Sequence, residues 1–500
     1  MRQLIRGQGL VVPIVALFGA TTLAWGCAGL SSDDKSLSGH DTGINGGGDA
    51  DRLTEDPVPV RVITASSIAE LQAALDKAAP GDRIELTNGS YTLSSAIRFS
   101  RSGTAAQPIT VAAQNTGGAE LTGSATFNLS SVSYVGISGF KITTSAGVSI
   151  PGNADHIRFS RNTIEMAASP STKSWVTVAA NDTEVDHNTF QNKSTEGVYL
   201  QITGPGEADM ARGTWVHHNY FYNHTYGGTN GGESVRLGLS KRQHASAEAK
   251  IEYNLFEKAN GDAEAISVKS SNNVVRYNTI RDSIGSIVLR HGNANRVEGN
   301  IELGGSSGIR LYENDHVIVN NLIQGGTGQI LVGSGTLVDD TNNGTEHARV
   351  DRALIAFNTV VGSGRLLDIG PGSDPYGPDD CTFANNIFQG GESATLIRIG
   401  KATNLHWDGN IVWGGSAGAT PSSGYRNVDP ALGTDADGLY RLTSATGPAI
   451  DAAQGSYPQV TLDIDLQTRS GAKDVGADEF VAGGTPRRPL STADVGPSAP

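Results

Sequence analysis

The phrases AKIEYNLFE (249–257), NVVRYNTIR (273–281), NRVEGNIEL (295–303) and VIVNNLIQG (317–325) share one design. Each runs apolar and polar residues in alternation, then places asparagine, one variable residue and, in most, an apolar one. The asparagines, Asn254, Asn278, Asn300 and Asn321, are 24, 22 and 21 residues apart. The same phrase recurs around Asn162, Asn188, Asn219, Asn358, Asn386 and Asn410, at longer spacings that read as the same unit with a loop inserted. A period of this length, built from short strands without helices, marks a solenoid. There is no leucine consensus, and a repeat this short has no room for the four antiparallel strands of a propeller blade. The reading that remains is an all-β chain wound as a right-handed parallel β-helix. Asparagine at one place per coil is expected to tolerate a left-handed turn between strands and to stack its amides along the axis.

The ends fit a solenoid. In SSIAELQAALDKAAPGD (66–82), Ser67 and Glu70 are spaced as a capping box, Ile68, Leu71 and Leu75 share a face, and Pro80-Gly81 stops the helix. Such a helix covers an end that would otherwise expose strand edges. NVDPAL (427–432) and the acid-rich run up to Phe480 resemble the closing segment of many bacterial β-helix proteins. The segment 481–500, with four prolines, is expected to be disordered. At the other terminus, Arg2 and Arg6 precede an apolar run, Leu10 to Leu23, and then LAWGC (23–27), which reads as an export signal. Gly26 before Cys27 resembles the lipobox of bacterial lipoproteins, so residues 1–27 are expected to be a signal, with a lipid anchor on Cys27. Residues 28–57 have a linker's composition. The β-helix domain is expected over 58–480, in an exported monomer.

Gly is abundant at 64 residues, and the formal charge of −14 with a pI near 5.2 argues against non-specific nucleic-acid binding. An anionic substrate must then be held by a local basic or cation-bearing groove. Apart from Cys27 the one cysteine is Cys381, in a strand-like phrase, so the fold relies on packing, and Cys381 reads as a small core filler.

One strand carries more charge than a core strand should: DAEAISVKS, 262–270. With Ile266 and Val268 inward, Lys269 points out. Arg290 lies 21 residues later in SIVLRHGN (286–293) and points out by the same rule, about one coil away. The two cations should then stack on neighbouring rungs, about 5 Å apart, which lowers the pKa of the lysine. Parity would bury Asp262 and Glu264 with Ile266, unless a bend between Glu264 and Ser267 turns them outward. In NGGESVRLG (230–238), Asn230 and Glu233 can approach these acids, while Arg236 alternates outward. Clustered oxygen ligands suit a hard cation such as Ca²⁺. Salt bridges from the same acids to Lys269 and Arg290 account for the spacing equally well.

At NGGESVRLG, at the stretch Asn254–Asn300 and at GGSSGIRLY (304–312), the sequence resembles polysaccharide lyase family six, which contains alginate lyases and chondroitinase B. The resemblance implies that Lys269 is the Brønsted base and Arg290 the acid. It implies Ca²⁺ held by Asn230, Asp262 and Glu264 with Glu233 in support, and a sugar chain met by Arg236, His291, Arg310 and Tyr312. The family's Glu-Ala-Glu is here Asp262-Ala263-Glu264, one methylene shorter at one ligand. The expected reaction is β-elimination on a uronate polysaccharide, alginate first and chondroitin or dermatan sulfate second. A non-catalytic carbohydrate-binding β-helix explains the solenoid but not the Lys269 and Arg290 pairing. A hydrolase would need paired carboxylates across a cleft, for which only Asp339-Asp340 and Asp379-Asp380 offer themselves. His217, His218 and His224 read as surface or groove lining rather than a zinc site.

Overall fold

The computed structural model describes residues 58–167, 170–339 and 344–500; the expected signal, Cys27 and the linker lie outside the described residues. Three parallel sheets of 14, 11 and 14 strands form the body. Lys250–Glu252 pairs with Val274–Arg276, Leu255–Ala259 with Thr279–Arg281, and Glu264–Lys269 with Ser286–His291. Each coil thus gives one strand to each sheet, and the next coil stacks on it in parallel. This is the expected parallel β-helix, right-handed as nearly all parallel crossovers are. Inward positions stack like on like: Val216, Ile251, Val275, Val297 and Ile318 form one column, and the rings of Phe190, Phe221 and Phe256 stack at 4.9 and 4.8 Å.

The asparagines form an unbroken ladder. Asn254 donates its backbone N–H and its Nδ2 to Asn278 Oδ1, both at 3.0 Å; Asn278 does the same to Asn300, and Asn300 to Asn321. The pattern holds from Asn162 to Asn410, and all ten are buried. Their role in the turn differs from the expectation. The left-handed residue is the one before each asparagine, such as Tyr253 (φ 54°), Tyr277 (φ 57°) and Asn320 (φ 56°). The asparagine itself supplies the amide that satisfies the strained corner's backbone groups.

The N-terminal helix, Ile68–Leu75, is capped as expected: Ser67 Oγ accepts the N–H of Glu70, while the Glu70 carboxylate reaches back to Ser66 rather than Ser67. Leu71 and Leu75 seal the end of the core. At the other end the coils give way to the closing segment. The coils stop at Tyr425–Arg426, short of residue 480, and the chain then returns along the outside of earlier coils. Asn385 exchanges hydrogen bonds with Gln454, Asn320 donates to Leu462 O, and buried Arg469 bonds Glu479 and Asn320. The segment expected to be disordered continues this path without regular secondary structure: Leu490 N–H donates to Thr279, Gly496 N–H to His218 O, and Arg161 to Ala499 O. The polar corner of each coil leaves carbonyls and hydroxyls that an extended, proline-bearing strap can satisfy.

Glu302 breaks the core pattern. Its register partners are Ile280 and Ile323, so its carboxylate enters a hydrophobic column, where among the described residues neither oxygen has a hydrogen bond of good geometry and Ser307 offers only a weak polar contact. Burial pushes its pKa up to about 8, which Ser307 opposes without reversing. The folded state therefore keeps a proton that the unfolded chain releases above its ordinary value of 4.5. Its favourable contribution is complete below pH 4.5 and is lost as pH rises through 8, at up to about 1.4 kcal/mol per pH unit. Glu302→Leu is expected to remove this slope and to raise stability at pH 7 by about 2–3 kcal/mol. Denaturant titrations at several pH values check it, and an unchanged slope would refute it.

Candidate active site

Two bulges shape the charged strand. Glu264 pairs with Ser286 and Ile266 with Ile287, so Ala265 is an extra residue and turns into the core. Glu264 and Ser267 can then both lie on the outer side, as the expected bend required. One coil later Val268 pairs with Leu289 but Lys269 with His291, leaving Arg290 as the extra residue. Lys269 and Arg290 therefore do not stack rung on rung as their spacing suggested. A bulge re-aims a side chain and leaves its peptide outside the ladder. Gly238 sits in register with Lys269 at φ 90°, where a Cβ would come within 2.4 Å of the Lys269 carbonyl, so only glycine lets these strands meet.

The acids and cations interlock. Glu264 Oε1 accepts from Arg290 Nη1 and from Arg310 Nη2, each at 2.8 Å, while its buried Oε2 has no hydrogen-bond partner among the described residues. Glu233, fully buried, binds Arg236 through both carboxylate oxygens and lies 3.6 Å from Lys269 Nζ. Burial opposes the ionisation of Glu233, but Arg236 and Lys269 hold its pKa below the usual value. Lys269 is 7% exposed. Burial is the leading cause that lowers its pKa, with the charges of Arg236 and Arg290 acting the same way against Glu233 and Glu264. Desolvation, more than a stacked cation, thus makes this lysine a better base.

Asp262 accepts the N–H of Gly232 on Oδ2 and of Glu264 on Oδ1, both at 2.7 Å. Burial, then the charge of Glu233, pushes its pKa up to about 6. The turns that bring it there touch at Gly232 and Gly261, and a Cβ on Gly261 would lie 2.0 Å from Gly232 O. Beneath them His224 is buried and meets Gly197 O at 2.8 Å.

Thr229, Asp262, Ala263, Glu264, Arg290, Arg310, Tyr312 and His347 line an open groove of about 530 Å³. Asn230 is exposed on the loop beside Thr229, with no side-chain hydrogen bond among the described residues. Arg236 is half-buried on Glu233. His291 is not a surface group: it is buried, 3.5 Å from Glu313, and stacks on His347. His347 and Thr229 had no signal in the sequence, because both stand in inserted loops outside the repeat.

Other sequence candidates are absorbed elsewhere. His217, His218 and His224 are buried rather than exposed, and His217 contacts Glu184 and His218. Asp379 is held by Arg349, Thr403 and Asn404, and Asp380 by His406; Asp340 lies outside the described residues. Cys381 is a core residue whose thiol burial pushes up to about 12.

A family model described as chondroitinase B matches residues 65–386. The chain is a member of polysaccharide lyase family six. Among solved structures of the family, the alginate lyase AlyGC is 26% identical, with a TM-score of 0.64 over 77% of this chain. The match spans 55% of that lyase. A mannuronic acid specific family six lyase from human gut microbiota is 24% identical (TM-score 0.63, 74% of this chain and 91% of that one). A family six lyase from Pseudopedobacter saltans is 20% identical (TM-score 0.56, 87% and 99%). The last two show the fold alone. No curated protein matches the sequence.

Proposed function

We propose that this family six member cleaves a uronate-containing polysaccharide, alginate first, by β-elimination. The observation that carries the reading is a desolvated lysine of lowered pKa one coil from an arginine that enters an open groove. The proton on C5 of a uronate, next to the carboxylate, is removed; the electron pair forms the C4–C5 double bond; and the bond from C4 to the 4-linked oxygen breaks. Neutral Lys269 takes the C5 proton. Arg290 stabilises or protonates the leaving oxygen, mainly by its charge, since a guanidinium is a poor acid. Arg310 and Tyr312 at the groove wall receive the anionic chain. Glu233 fixes Arg236 and the base.

The donor set fits a hard cation. Among the described residues Glu264 Oε2 is buried without a hydrogen bond and Asp262 has no ion-pair partner, and Asn230 stands on the adjoining loop. We assign Asp262, Glu264 and Asn230 as its ligands. Because both Glu233 oxygens are engaged by Arg236, Glu233 supports rather than ligates. Ca²⁺ would neutralise the substrate carboxylate and acidify the C5 proton. Exhaustive chelation is expected to lower activity at least about 10-fold and Ca²⁺ to restore it; full activity after chelation would remove the cation from the scheme. Export, with the lipid anchor on Cys27, suits a polymer met outside the cell.

The test is ultraviolet absorbance of the unsaturated product from protein beginning at residue 28, with alginate and dermatan sulfate in parallel. A rise with alginate supports the proposal, and a rise with dermatan sulfate alone moves the substrate to the second choice. New reducing ends without absorbance would indicate a hydrolase, and silence in both a binding protein.

A further inference from the structure

We infer that His347 is a positioning residue for Arg290, delivered by the long connection between Ile330–Val332 and Leu354–Ala356. The inference rests on the lyase reading for its kinetic consequence, and on geometry alone for its structural one. Arg290 is the bulged residue. It has no register partner in the preceding strand, and the pairing with the following strand ends at Leu289. Its guanidinium is tied to Glu264, and its peptide stands outside the paired register on both sides. The Arg290 carbonyl instead lies 3.0 Å from His347 Nδ1, across 57 residues of sequence. A carbonyl only accepts, so Nδ1 carries the proton, and in the neutral ring Nε2 is left as an acceptor.

The ring is held firmly enough to do this. It lies between Tyr312 (centroids 4.1 Å, planes 15°) and His291 (4.8 Å, 23°). Its own carbonyl accepts the N–H groups of Thr336 and Leu337, and the next residue, Ala348, donates to Glu313 Oε1. Burial, with His291 and Arg290 adding to it, keeps the ring neutral down to about pH 4. The inserted connection thus adds a side-chain hydrogen bond at the bulged residue, and with it helps set the direction in which Arg290 leaves the backbone.

His347→Phe keeps the stacking and loses the donor; His347→Asn places an N–H where Nδ1 stood. Kinetics on alginate and crystal structures of both variants test the inference. Expected are a kcat for His347→Phe lowered about 10- to 100-fold, with KM within about threefold and an unchanged melting temperature, and recovery of most of kcat in His347→Asn. In the His347→Phe crystal the Arg290 carbonyl should rotate away and the guanidinium should leave Glu264. Wild-type kcat in His347→Phe, or equal impairment in both variants, would overturn the assignment. If the wild-type protein turns over no uronate polymer, the lyase reading falls and the crystals alone decide: a displaced Arg290 sustains the inference, and an unmoved one overturns it.

Discussion

Lys269→Ala is expected to lower turnover about 10³-fold or more, in the upper range of what a positioned proton-transfer group contributes. The fold should survive. Glu233, the acid that Lys269 faces, keeps both hydrogen bonds to Arg236, so no carboxylate is left buried and unpaired. Lys269→Arg should be equally inactive although it preserves charge, because a guanidinium does not become a neutral base near pH 7. In the wild type the lowered lysine pKa places the deprotonated form within reach at lower pH. The rate should rise with pH along its acid limb and level off below the ordinary lysine value of 10.5. Initial rates of product absorbance across pH, alongside melting curves, make the comparison. A Lys269→Ala protein that retains a tenth of wild-type turnover would remove the lysine from the role of base.

The second large effect concerns stability. Asn278→Leu, in the middle of the ladder, is expected to cost about 3–5 kcal/mol. The Asn278 amide accepts from the backbone N–H and Nδ2 of Asn254 and donates to Ile251 O and Asn300 Oδ1. Leucine matches the volume but leaves the Asn254 N–H and the Ile251 carbonyl facing a hydrocarbon at a buried corner. The same change at Asn162, whose Oδ1 accepts the Phe140 N–H but no side-chain amide among the described residues, should cost less because it breaks one hydrogen bond fewer to the preceding coil. Denaturation midpoints of the two variants measure this, and a loss below about 1 kcal/mol for Asn278→Leu would show that the ladder is dispensable.

The sequence by itself determined the coil, its asparagine ladder and the capping helix, because in a solenoid one repeat of sequence is one rung of structure. Alternation told inward from outward, so Ile266, Val268, Ile287 and Leu289 were placed correctly and the outer charges of one groove were gathered. Glu302 was the local exception, readable as a charge where the repeat calls for a hydrocarbon. Only the tertiary structure decided what has no period. The bulges at Ala265 and Arg290 change the pairing by single residues, which spacing counts of 21 to 24 do not resolve. His347 reaches Arg290 through a loop whose length is unrelated to the coil. The proline-bearing end of the chain, polar and irregular in sequence, is ordered by hydrogen-bonding groups on coils hundreds of residues earlier. The pKa of Lys269 follows from desolvation, a property of everything packed around the side chain and not of its neighbours in sequence.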